Sequence, residues 1–114
     1  MPARHGDLIP GTFDMLILKA LSLGAMHGWG IAERIHALSE GICAVQQGAV
    51  YPALHRLLRR GWVVAEWRTS DNQRRARYYK LTASGRRQLG IEVESWRRSI
   101  AGVDRVLRAV ALEA

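Results

Sequence analysis

Residues 47–87 constrain the fold most. They read as a helix pattern, QGAVYPALHRLLRRG, a run of β-formers, WVVAEW (62–67), a polar stretch, RTSDNQRRA, a second strand, RYYKL (77–81), and a helix cap. Ten of the seventeen basic residues fall here (Arg56, Arg59, Arg60, Arg68, Arg74, Arg75, Arg77, Lys80, Arg86, Arg87), against two acids, Glu66 and Asp71. The span's net charge is +8 and the whole chain's is +7, so the positive field belongs to one structural unit. Such a field attracts polyanions without choosing a sequence. A helix followed by a hairpin tipped with arginines suits a groove and its flanking phosphates. The expected fold is a winged helix-turn-helix, α+β but mainly α.

At 114 residues the chain is one modest globular unit that an oligomer would help to stabilise. No apolar run reaches the length of a membrane span, and MPARHGDLIP lacks the features of a signal or transit peptide. A cytoplasmic protein with no membrane partner is expected. The single cysteine, Cys43, has no intrachain partner and no evident activating pair, so an idle or structural thiol is the simpler reading than a redox switch.

Four helices and one hairpin are expected. Thr12 as N-cap opens TFDMLILKALSLG, almost wholly apolar and therefore core, and Gly24 ends it. Ile31, Ile35 and Leu38 make Trp29 to Ser39 an amphipathic second helix, with a turn before it at Met26, His27 and Gly28. The third helix begins near Gly48, with Val50, Leu54, Leu57 and Leu58 inward and Ala49, Tyr51, His55, Arg56, Arg59 and Arg60 toward solvent. Pro52 belongs in or just after its first turn, and Gly61 stops it. On the first strand Val63, Ala65 and Trp67 share a face; Tyr78 and Tyr79 point opposite ways, one of them into the core.

The elements PGTFDMLILKAL, HGWGIAERI, GAVYPALHRLLRRGWV and RRARYYKLTASGRRQL, in this order, resemble the PadR family of bacterial transcriptional regulators over about residues 8–90. The most specific pieces are Tyr-Pro-x-Leu-x-Arg-Leu in the third helix and Arg-Tyr-Tyr-x-Leu-Thr-x-x-Gly closing the wing. Trp29 stands where the family usually has tyrosine, and Ala49 where serine or threonine is common. The resemblance implies a homodimer that binds an operator, usually as a repressor.

In a winged helix-turn-helix the third helix offers its N-terminal half to the major groove and the wing follows the backbone or enters the minor groove. Gln46, Gln47, Ala49, Tyr51, His55, Arg56 and Arg59 are the candidate DNA contacts of the helix region. Glutamine pairs with adenine, arginine with guanine, and alanine meets a thymine methyl. Arg59 and Arg60 also suit a helix C-terminus as plain dipole charges. Arg74, Arg75 and Arg77 are the candidates on the wing, and His27 either donates to a phosphate or stabilises its turn. No histidine has Cys or acidic partners at metal-ligand spacing, and no glycine-rich loop has the order of a phosphate cradle. Neither an enzyme nor a cofactor is expected.

From the Thr82 cap the chain continues as one helix in which Leu89, Val93, Trp96, Ile100, Val103, Leu107 and Val110 recur at heptad spacing. The expected organisation is a DNA-binding unit over 1–84, with an N-terminal arm at 1–10, and a dimerisation helix over 85–114. The alternative is a stripe packed wholly on the first helix of its own chain. Trp96 at mid-seam, with Val93 and Ile100, is either dimer core or one wall of a slot for a small hydrophobic or planar aromatic effector. The expected partners are a second copy, a palindromic double-stranded operator and such an effector. A winged-helix module docking an acidic protein is the competing function, but arginines on both helix and wing favour DNA over an interface built on central aromatic anchors.

Overall fold

Apolar residues at helical spacing set the centre of the molecule. The computed structural model describes residues 12–69 and 72–112; the expected arm at 1–10 and the loop residues Ser70 and Asp71 lie outside the described residues. Helix α1 (Thr12–Ser22) buries Met15, Ile17, Leu18, Ala20 and Leu21, so it is apolar nearly all round. It touches the second helix, α2 (Gly28–Leu38), the last strand, β3 (Arg75–Leu81), and the long last helix, α4 (Ala83–Arg108). Leu38, expected inward, is exposed because α2 ends on it.

Helix α3 (Gln47–Arg59) buries Val50, Ala53, Leu54 and Leu57; Ala53 replaces Leu58, which is only half-buried, in the inward stripe. Pro52 lies in the second turn, so the Gly48 carbonyl lacks the bond that an amide at position 52 would donate. The end of α3 is a Schellman turn: Gly61 takes φ +76°, its amide bonds Leu58 O at 3.0 Å, and the Trp62 amide bonds Leu57 O at 3.1 Å.

The wing is longer than its sequence pattern. Strand β2 (Val63–Thr69) pairs antiparallel with β3 from Val63↔Leu81 to Thr69↔Arg75. A two-residue strand, β1 (Met26–His27), pairs with Tyr79 and Tyr78 on the other edge, giving the order β1-β3-β2. In the sequence Met26 and His27 look like part of a turn, since two residues carry no period. Tyr79 is the buried tyrosine and Tyr78 the half-buried one.

The wing is joined to α4 by close backbone contacts. The Thr82 amide bonds Trp62 O at 3.0 Å, and its hydroxyl donates to Gly61 O and accepts the Gly85 amide, capping α4. A Cβ on Gly85 would lie 2.0 Å from Trp62 O, so the helix approaches the wing this closely only because Gly85 has none. The helix ends at Arg108, short of the expected continuation, and Val110 is outside it. Among the described residues no helix is long and apolar enough to cross a membrane.

Candidate nucleic-acid interface

The face of α3 turned from the core exposes Ala49, Tyr51, His55, Arg56 and Arg59, with Gln46 as the exposed N-cap residue. Tyr51 lies over the start of α2, where a Cβ on Gly28 would meet its ring at 2.7 Å. Next to it His27 caps α2, its Nδ1 accepting the Gly30 amide at 3.1 Å. In the neutral ring that leaves Nε2 as the donor. The turn-stabilising role expected of His27 is therefore the one the structure shows, and it leaves Nε2 unused by the cap.

Tyr51, His27 and Trp29 form one wall of a groove of about 730 Å³ whose other wall is the wing, with Trp67, Arg74, Arg75, Arg77 and Tyr78. Among the described residues no carboxylate lines it. The Arg75 guanidinium lies over the Trp67 ring at 5.0 Å, and that of Arg68, also bonded to Glu66, over Tyr78 at 5.0 Å. His27 meets Tyr78 edge-on at 5.7 Å. Arginine–ring stacking holds these cations in place without removing their charge.

Two expected contacts are engaged elsewhere. Arg56 points to α1, where its Nε and Nη2 donate to the two carboxylate oxygens of Asp14 at 3.4 and 2.7 Å. That hydrogen bond, with the Asp14 charge, holds the guanidinium above its ordinary pKa. Arg56 instead lines a second hollow of about 500 Å³, with Arg59, Arg60, Trp62 and Glu92. Its position on the outer face of α3 was legible; the acid reaching it from 42 residues away was not. Gln47 also turns inward, donating to Trp29 O at 2.9 Å while its Oε1 is buried without a partner. It ties α3 to α2 and does not offer its amide to a base.

Trp29 and Trp67, 56% and 60% exposed, are two large groove residues that the sequence did not place there. Trp29 sits off the Ile31/Ile35 stripe, which was the available signal. Trp67 does share the face of Val63 and Ala65, but the core ends before reaching it.

On α4 the stripe runs out of its own core. Leu89 is buried, Val93 and Ile100 are half-buried, Trp96 is 37% exposed, and Val103 and Leu107 are exposed. The alternative of a stripe covered wholly by α1 therefore fails beyond Val93. Cys43 is partly buried against the core, in the loop before α3.

The transcriptional regulator PadR-like family model matches residues 17–91. A PadR-like transcriptional regulator from Bacillus cereus is 22% identical and superposes with a TM-score of 0.75 over 88% of this chain and 95% of its own. A PadR family transcription regulator from Clostridium difficile is 27% identical, with a TM-score of 0.73 over 85% of this chain and 99% of its own. An uncharacterized protein from Lysinibacillus sphaericus is 22% identical over 81% of this chain and 84% of its length. With helix, wing and long last helix in the expected order and the family model spanning most of the winged unit, this chain belongs to the PadR-like family of transcriptional regulators.

Proposed function

We propose that this regulator is a cytoplasmic homodimer that represses transcription by binding a palindromic double-stranded operator and leaves it when a small hydrophobic or planar aromatic effector binds. The observation that carries the DNA-binding reading is the groove beside α3, lined by Arg74, Arg75 and Arg77 with no carboxylate among the described residues. Ala49, Tyr51 and His55, with Gln46 at the cap, face the bases or the nearest phosphates, and Arg59 and His27 contact the backbone. The winged unit up to residue 84 holds the DNA. The helix from 85 onward holds the second copy through Val93, Trp96, Ile100, Val103 and Leu107, with Leu89 anchoring it in its own core.

Selection of bound duplexes from a random pool tests the reading. The full chain should enrich a two-fold symmetric site, with affinity falling steeply as salt rises. A pool without enrichment, alongside tight capture of an acidic protein by the same surface, would instead establish the interaction module. The effector is proposed to sit between Trp96 and its symmetry mate, beside Val93 and Ile100. It releases DNA only by binding one dimer geometry better than the other.

A further inference from the structure

We propose that Trp67, braced by Arg75, is a minor-groove wedge that makes the wing prefer A·T sequence and the T–A step above all. This deepens the DNA-binding reading and rests on it. Along β2, Val63 is buried, Ala65 is half-buried and Trp67 is exposed. The three share one side of the sheet, so the indole continues the core face beyond the end of the core. It overhangs the groove whose opposite wall carries Trp29 and Tyr51.

The indole is nevertheless held. Arg75 lies over its ring at 5.0 Å, and Arg77 is its direct partner across the ladder. A phosphate clamp needs the guanidiniums alone, because an anion offers nothing to an apolar plate. An indole covered by one arginine, with a second, Arg77, stacked on the neighbouring Tyr79, matches a surface both strongly negative and accessible to an apolar edge. A narrow A·T minor groove is such a surface: its potential draws arginine, and apolar side chains entering it unstack a base step. T–A steps open at low cost and lack the guanine amino group that obstructs the groove floor.

The test uses the full chain and two duplexes of equal length, one alternating T–A and one alternating C–G. Wild type should favour the first by about tenfold, the discrimination expected of one or two base pairs. Trp67→Ala should bind both equally while keeping the wild-type salt slope, and Trp67→Phe should keep part of the preference. With 2-aminopurine replacing the adenine of a T–A step, wild type should brighten the probe by unstacking it, and Trp67→Ala should not. Since Trp67 is mostly exposed, circular dichroism of both variants should match wild type.

A preference undiminished in Trp67→Ala would assign it to α3 and overturn the wedge, as would a wild type without preference. A wild type that binds neither duplex would remove the DNA-binding reading itself, before Trp67 is in question.

Discussion

Gly85 and Arg56 show how a single side chain, or its absence, decides local geometry. Gly85→Ala puts a methyl group 2.0 Å from the Trp62 carbonyl, which is backbone and yields little. The wing and α4 must then separate, at about 1–3 kcal/mol for an overpacked site and loss of the Thr82 cap besides. Urea titration should show a lower midpoint with an unchanged slope. Arg56 and the wing arginines make a second comparison. Each phosphate contact adds about 0.9 to the slope of log K against log salt, so Arg74→Ala with Arg75→Ala should flatten it by up to about 3.6 in a dimer. Arg56→Ala should leave the slope unchanged, because Asp14 already holds that guanidinium. It should cost under about 1 kcal/mol of stability, as exposed ion pairs do. A fall in salt slope for Arg56→Ala would return it to the DNA surface.

Helix α4 changes surroundings along its length. Its 26 residues extend about 39 Å, and its N-terminal part reaches the core of its own chain, through Gly85, Leu89 and the half-buried Val93. The rest presents Trp96, Val103 and Leu107 to solvent, a continuous apolar stripe of the kind that marks an interface. Trp96→Asp with Ile100→Asp would bury like charges between two copies and should yield folded monomers by analytical ultracentrifugation. An unchanged dimer would place the interface elsewhere.

In the proposed dimer, effector and operator would be linked through the angle at which two α4 helices cross, since α4 continues from its own wing through Thr82. A planar hydrophobic ligand between the two Trp96 indoles should quench tryptophan fluorescence and release operator in parallel. Trp96→Ala should remain able to bind DNA, yet lose both responses. Trp29, Trp62 and Trp67 supply the remaining emission, and Trp67, proposed at the DNA, should respond to operator instead. Quenching that survives in Trp96→Ala would locate the ligand near one of these three.

Periodic features were legible from the chain alone. The apolar α1, the inward Val50, Leu54 and Leu57 of α3, the Gly61 stop, the Thr82 cap and the heptad stripe are local patterns, set by helix and strand periods or by one residue's backbone freedom. The arginine-rich wing was legible for the same reason, as a cluster in sequence. Contacts between distant segments were not. Asp14 taking Arg56, Gln47 turning to Trp29, Met26 and His27 adding a third strand, and Gly85 lying under Trp62 all join segments whose proximity no local pattern encodes. Trp67 is the sharpest case: alternation put it on the core face, and its exposure followed from where the other helices end. That boundary belongs to packing, because a strand's period says which side a residue faces and nothing about whether anything is there to cover it.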